Sequence, residues 1–198
     1  MKKLFIVFSF LIALGCSDGK TPITAETEWQ KLQNANFKDA TKSPLTKQDR
    51  KEFNGLNFYK FDSTLVVVAS LNRTPDSQWF QMRTTTERKS KERVYGILTF
   101  ELQGIEFNLN VYQGEENMQT SGFENYLFLP FLDLTNGETS YGGGRYIDLN
   151  IPEGNSIIID FNKAYNPLCV YNEKYSCPLV PRENFLNISI KAGMMNYD

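Results

Sequence analysis

The sequence predicts a mainly β fold: an antiparallel sandwich or barrel of about nine or ten short strands, with short helices near the N-terminus. Apolar and polar residues alternate over several segments, which is the period of a strand with one face buried. Turn-forming residues separate these segments at regular spacing. The sequence shows no internal repeat, heptad pattern or second domain.

Two short helices are expected before the strands. Thr24 is a suitable N-cap for a helix over 25–34, whose Trp29 and Leu32 share one face. Ser43-Pro44 starts a second helix, and Asn54-Gly55 ends it.

The hairpin 94–112 is the clearest strand signal, because 105–112 alternates strictly and Gln103-Gly104 supplies the turn. The segment 126–131 is apolar on both faces and is expected to be a central strand. The basic segment 84–93 is interrupted by Glu87 and Glu92, which favours a solvated loop over a patch for anionic partners. The predicted strands are 57–61, 64–71, 78–83, 94–102, 105–112, 126–131, 146–151, 156–161 and 186–192.

The N-terminal segment predicts export. Lys2 and Lys3 precede an apolar run, 4–14, that is too short to span a bilayer and is typical of a signal peptide covering residues 1–15. The following Ala13-Leu14-Gly15-Cys16 resembles the lipobox of bacterial lipoproteins, in which the cysteine is lipidated. The alternative is a signal peptide followed by an incidental cysteine.

The lipoprotein interpretation sets the expected organisation of the chain. Residues 16–24 would be a flexible tether after the lipid, and 25–198 a single β-rich domain. We expect a bacterial cell-envelope location, on the periplasmic or outer-membrane face, with the membrane as a partner through the lipid on Cys16.

Charge and composition exclude several functions. The net charge of −2 becomes −4 once Lys2 and Lys3 are removed, so the chain lacks the basic surface that nucleic-acid binding requires. The chain contains no histidine, which rules out Ser-His-Asp and Cys-His catalysis and histidine-based metal sites. No metal or cofactor is predicted.

With Cys16 assigned to the lipid, Cys169 and Cys177 remain as a pair. Export to an oxidising compartment favours a disulfide between them. Free thiols are the first alternative. A metal site is the second, and it would need carboxylates to complete its ligands.

The candidate site lies in the C-terminal third. Gly142-Gly143-Gly144 before Arg145 suggests an anion cradle of backbone N–H groups and a guanidinium. The alternative is a tight bend whose arginine pairs with a structural carboxylate, Asp133 or Asp160. The residues expected around a ligand are Asp133, Tyr141, Gly144, Arg145, Asp160, Asn162, Tyr165, Asn166 and Glu183.

Asp160 and Asn162 have their own two interpretations. They flank Phe161 at a strand end and point to the same side, so both could reach a ligand. As Asx residues, they could equally bond the backbone of the long loop 162–181.

This stretch resembles an uncharacterised bacterial family, domain of unknown function 1684, for which the resemblance implies no activity. The resemblance is dense in the C-terminal third and looser over 43–61. It departs from the family pattern at Leu168 and Met194. The matching residues include Leu127-Phe128-Leu129-Pro130-Phe131, Gly144-Arg145-Tyr146, Asp160-Phe161-Asn162, Ala164-Tyr165-Asn166-Pro167, Cys177-Pro178-Leu179 and Ala192-Gly193.

Three functions therefore remain open at the level of the sequence. The first is a membrane-anchored binding module for a small polar or anionic ligand. The second is a hydrolase acting on a glycan or ester with two carboxylates from Asp133, Asp160 and Glu183. The third is a structural protein of envelope assembly. The sequence leaves open whether the protein is an enzyme.

Overall fold

A computed structural model describes residues 25–197 of the chain. The predicted signal peptide, Cys16 and tether lie outside the described residues. The mainly β fold is confirmed: the described residues form one curled, largely antiparallel sheet in the order β6-β5-β4-β3-β1-β7, with β2 on β3 and a short parallel β8 on β5. The strands are β1 Val66–Arg73, β2 Phe80–Arg83, β3 Lys89–Leu102, β4 Ile105–Gly114, β5 Tyr126–Asp133, β6 Arg145–Asn150, β7 Ser156–Asp160 and β8 Phe185–Leu186.

The topology explains why the sheet curls. β6 and β7 lie at opposite ends of the strand order but follow each other in the chain. The residues 151–155 that join them span at most about 20 Å, whereas six strands laid flat would place these edges about 24 Å apart. The chain then crosses back to β6, where Tyr165 and Tyr146 exchange two backbone hydrogen bonds of 2.9 Å. The result is a half-barrel.

The central hairpin forms as its sequence predicts. β3 and β4 pair along their length, and Gln103 (φ 52°) with Gly104 (φ 76°) makes the tight turn between them. The register shifts between Val94 and Gly96, so Tyr95 is an extra residue on β3.

The helices form, but not where the sequence placed their starts. Helix α1 is Glu28–Lys38, and its cap is Thr27, which forms a capping box with Gln30. Helix α2 is Lys47–Glu52, capped by Thr46, whose side chain accepts a hydrogen bond from the Asp49 N–H. A third short helix, α3, is Glu115–Met118 and directly follows β4.

Two of the predicted strands were wrong. Segment 57–61 contributes only a bridge between Phe58 and Met194. Segment 186–192 buries Leu186, Ile190 and Ala192 as its alternation predicts, yet only Phe185–Leu186 pairs as a strand. The loop predicted over 84–93 was also wrong in part, because β3 begins at Lys89.

β4 and β5 diverge beyond one aligned pair, Tyr112 and Phe128. The buried side chain of Asn184 connects them: it accepts a hydrogen bond from the Asn110 N–H (2.9 Å) and donates to the carbonyls of Asn110 (2.8 Å) and Pro130 (2.6 Å). An amide with one acceptor and two donor hydrogens can replace the missing backbone pairing.

The two faces of the sheet have different surroundings. One face carries the main core, to which β5 contributes Leu127, Leu129 and Phe131. The alternate residues of β5 and β6, including Phe128 and Tyr146, belong to a smaller aromatic cluster on the opposite face. Because both faces of β5 are covered, its sequence is apolar throughout.

Candidate functional site

A cavity of about 490 Å³ lies on the face of the sheet opposite the main core. Strands β3 to β6, helices α1 and α3 and the segment 163–178 contribute to its lining. Its volume is within the range of small-molecule sites. The aromatic residues of its wall are Trp29, Phe37, Tyr126, Phe128, Tyr146, Tyr165 and Tyr175.

Three of these rings pack edge to face. The Phe128 and Tyr146 centroids lie 4.7 Å apart, and the Tyr146 and Tyr165 rings are perpendicular with centroids 5.8 Å apart. The Tyr146 hydroxyl donates to the carbonyl of Pro178, which fixes the ring between the sheet and the covering segment. The wall is therefore held in one arrangement before any ligand binds.

Asp148 organises the tyrosine hydroxyls on the β6 side. Its Oδ1 accepts hydrogen bonds from Tyr126 Oη (2.8 Å) and Tyr165 Oη (2.6 Å). Burial is the main cause that raises the pKa values of both phenols, and the negative charge of Asp148 adds to it. Both hydroxyls are thus protonated at neutral pH and remain donors to the carboxylate.

Glu92 on β3 is the buried carboxyl of the cavity wall, with 5% of its surface exposed. Its Oε1 accepts from Ser90 Oγ at 2.5 Å, and its Oε2 has no hydrogen-bond partner among residues 25–197. Burial raises the pKa of Glu92, and the Ser90 hydrogen bond only partly offsets this effect. A buried, half-satisfied carboxyl is energetically costly unless a ligand or water completes it.

The basic residues around the cavity have other partners. Arg88 donates to the carbonyl of Ser176 (3.2 Å), and Lys163 pairs with Asp160 (3.3 Å). Glu116 is an exposed carboxylate on the cavity lining. The cavity is consequently richer in hydrogen-bond acceptors than in free cations.

Of the nine residues predicted around a ligand, only Tyr165 and Asn166 line this cavity. Asn166 is buried, and its Nδ2 donates to the Met195 carbonyl (2.8 Å) and to Tyr171 Oη (3.3 Å). Its Oδ1 has no hydrogen-bond partner in the part of the chain that the structure describes. Asn166 thus adds a second unpartnered acceptor to the one on Glu92.

Arg145 lies instead in the interior, fully buried. Its guanidinium pairs with Asp133 (3.3 Å) and donates to the backbone carbonyls of Ile190 (2.8 Å), Ala192 and Met194 (3.3 Å). Asp133 in turn accepts from the Ile190 N–H at 2.6 Å. Of the two interpretations of this segment, the geometry matches the tight bend whose arginine pairs with Asp133. The guanidinium also binds backbone carbonyls of the C-terminal segment.

Gly144 is packed closely within this interior arrangement. It has φ +90°, and a Cβ there would lie 2.6 Å from Val180 Cγ2 and 2.7 Å from the Phe131 carbonyl. Tyr141 precedes it in the turn, and its carbonyl accepts from the Gly144 N–H at 3.1 Å.

Asp160 bonds the backbone at the start of the long loop, as its Asx interpretation predicts, whereas Asn162 bonds the backbone of Asp62 and not that of the loop. Asp160 Oδ1 accepts from the Asn162 N–H (3.1 Å), and Asn162 Nδ2 donates to the Asp62 carbonyl (2.8 Å). Glu183 is exposed and accepts a long hydrogen bond of 3.4 Å from Tyr112 Oη. The three carboxylates of the hydrolase hypothesis, Asp133, Asp160 and Glu183, therefore each have separate partners, and none lines the cavity.

The predicted disulfide is not formed, and both Cys169 and Cys177 are free thiols. Cys177 Sγ instead accepts a hydrogen bond from the Cys169 N–H at 3.1 Å. Burial raises the pKa of the Cys177 thiol to about 12, so this cavity-lining thiol is protonated and a poor nucleophile at neutral pH.

Residues 25–197 contain neither a candidate membrane-spanning helix nor a candidate metal-binding cluster. No helix in this range is long and apolar enough to cross a membrane. The same residues contain no group of three or more acidic or cysteine side chains that could hold a metal ion.

Sequence reasoning missed Glu92, Asp148 and Tyr126. A period-two signal was available for the last two, because the face of β5 and β6 opposite the main core carries Tyr126, Phe128, Tyr146 and Asp148. Glu92 has no comparable apolar–polar alternation around it, because its neighbours in the sequence are mostly basic residues.

Together the fold and the site define a half-barrel β protein with an aromatic, acceptor-rich cavity on the outer side of its sheet. The chain belongs to the family described as Protein of unknown function (DUF1684), whose profile matches residues 51–195.

A solved structure has a similar sequence and fold. The chain is similar to an uncharacterized protein of Haloarcula marismortui solved by solution NMR, with 30% identity and a TM-score of 0.64 over 84% of this chain and 89% of that one. No curated protein matches the sequence.

Proposed function

We propose that the protein is a binding module that takes a small polar ligand into the cavity between β3–β6 and the segment 163–178. The observation that carries the proposal is a preformed cavity of about 490 Å³ with aromatic walls and two buried, unpartnered acceptors, Glu92 Oε2 and Asn166 Oδ1. Such a site combines apolar contact area with a few fixed polar groups, as ligand sites do.

The cavity argues against the anionic ligand that Arg145 suggested. Glu92, Asp148 and Glu116 surround it, and Arg145 is not part of its lining. A neutral or basic ligand avoids charge repulsion with these carboxylates.

The ligand-binding proposal can be tested through Trp29, which lines the cavity. The chain has two tryptophans, so a Trp79→Phe background leaves Trp29 as the reporter. We expect ligands from a screen of cell-wall sugars, amino sugars and amines to shift Trp29 fluorescence. The shifts should weaken in Tyr146→Ala and persist in Tyr95→Ala, a tyrosine outside the cavity lining. Hits that bind equally well to Tyr146→Ala would contradict this assignment.

We also propose that the module is attached to the cell-envelope membrane through a lipid on Cys16. The support is the sequence alone: a charged start, an apolar run and Ala13-Leu14-Gly15-Cys16. Expression with an intact N-terminus should give a membrane-bound protein whose mass includes acyl chains. Cys16→Ser should lose the acyl mass, and an unmodified wild-type Cys16 would refute the anchor.

A further inference from the structure

Glu92 is a buried carboxyl whose hydrogen-bonding capacity is only partly used by the protein. A carboxylate offers about four acceptor positions on its two oxygens. In the described part of the chain, Glu92 receives one hydrogen bond, from Ser90 Oγ at 2.5 Å. Its other oxygen is buried, unpartnered and belongs to a side chain that lines the cavity.

The basic residues near Glu92 in the sequence form hydrogen bonds or ion pairs with other groups. Lys91 pairs with Glu115 at 2.6 Å, and Arg93 binds Gln113 Oε1 at 2.6 and 3.1 Å. Arg88 acts on Glu92 through its charge, but its guanidinium donates to the Ser176 carbonyl. Among residues 25–197, Glu92 forms no ion pair within 4.0 Å.

The absence of a side chain at Gly114 on β4 makes room for the Glu92 carboxyl itself. A Cβ at this position would lie 3.0 and 3.1 Å from the two Glu92 oxygens. The neighbouring wall is aromatic, and Asn166 contributes its free amide oxygen. Acceptors together with π-faces recognise a group that is cationic and donates several hydrogen bonds.

We propose that the cavity is specific for a ligand carrying a primary ammonium group, which donates to the free oxygen of Glu92 while its carbon skeleton lies against the aromatic wall. This inference rests on the proposed ligand-binding function and names the class of ligand. Asp148 is not the primary partner, because it is exposed to solvent and its Oδ1 already accepts from two tyrosine hydroxyls.

The test compares benzylamine with benzyl alcohol, which has a similar shape but no charge. Binding to the purified full chain in detergent is followed by Trp29 fluorescence in the Trp79→Phe background at neutral pH. We expect benzylamine to bind about tenfold more tightly than the alcohol. The preference should disappear in Glu92→Gln and persist in Glu101→Gln, an exposed glutamate on the same strand.

Gly114→Ala provides a second variant, which retains Glu92 but places a methyl against both of its oxygens and so displaces the carboxyl. We expect the amine preference to fall several-fold in this variant. Equal binding of the two probes, or a preference that survives in Glu92→Gln, would overturn the ammonium assignment and leave the cavity as a site for another ligand. If neither probe shifts Trp29 emission, the ammonium assignment fails. If the wider screen also gives no response, the proposed function fails with it.

Discussion

Arg145 and Glu92 are both charged residues buried against the same sheet, and their surroundings are opposite. Arg145 binds Asp133 and three backbone carbonyls, and only its Nε lacks a partner. Glu92 has a single hydrogen bond and faces a cavity. A charge with a nearly complete set of partners stabilises the fold, whereas one with an incomplete set marks a place for a ligand.

The largest effect should come from breaking the Arg145 cluster. Arg145→Met leaves Asp133 buried without its cation. It also removes the N–H groups that donate to the backbone carbonyls of Ile190, Ala192 and Met194. We expect the free energy of unfolding to fall by about 3–5 kcal/mol, the usual cost of breaking a buried pair, as measured by urea denaturation. Lys31→Met removes the exposed pair with Glu28 and is the control, with a far smaller change. Similar losses in both variants would show that burial of the pair is not what matters.

Gly144→Ala tests the same cluster through its backbone. The left-handed φ costs about 1–2 kcal/mol for a residue with a Cβ, and the added methyl also meets Val180 and the Phe131 carbonyl. We expect a loss of about 2–4 kcal/mol in the same denaturation experiment. Gly154→Ala is the matched control, because a Cβ there meets nothing within 4 Å. Equal effects at both glycines would refute the steric argument.

Much of the fold can be predicted from local sequence patterns, but the Arg145 cluster and the cavity cannot. The β3–β4 hairpin was predictable because its alternation and its Gln103-Gly104 turn are short-range signals. The Arg145 cluster joins residues that are 45 to 49 positions apart, so no local pattern places the guanidinium beneath Ile190, Ala192 and Met194. The segment 186–192 has the alternation of a strand, but only its start pairs with another strand. Further along, the carbonyls of Ile190 and Ala192 accept hydrogen bonds from Arg145.

The cavity could not be predicted from the sequence for a different reason. Phe128 and Tyr146 are residue types that are also common in a core. That face of the sheet becomes a cavity wall because the segment 163–178 and helices α1 and α3 lie over it. Glu92 is buried because β3 starts before the predicted strand and pairs with both β2 and β4.

On the cavity side, Tyr126→Phe and Tyr165→Phe each remove one donor to Asp148. We expect each to cost about 0.5–1.5 kcal/mol, the net value of one hydrogen bond. The double variant should not be additive, because both hydroxyls share Asp148 Oδ1. A double-mutant cycle by thermal denaturation measures the coupling. Additive losses would mean that the two tyrosines act independently of Asp148.

Glu92→Gln should have the smallest effect on stability and the opposite sign from Arg145→Met. Burial raises the pKa of Glu92 above its ordinary value of 4.5, so the folded state binds its proton more tightly than the unfolded state does. The stabilising contribution of this proton is fully present below pH 4.5 and is lost as the pH rises through the raised folded-state pKa.

At neutral pH, therefore, the neutral amide of Glu92→Gln should make the protein more stable than the wild type without ligand. The gain should shrink as the pH falls towards 4.5. Glu101→Gln, at an exposed position on the same strand, is the control. Urea denaturation at a series of pH values measures both variants. A loss of stability at neutral pH would mean that the ionised carboxylate has a partner within the protein, and Glu92 would then resemble Arg145 and not a ligand group.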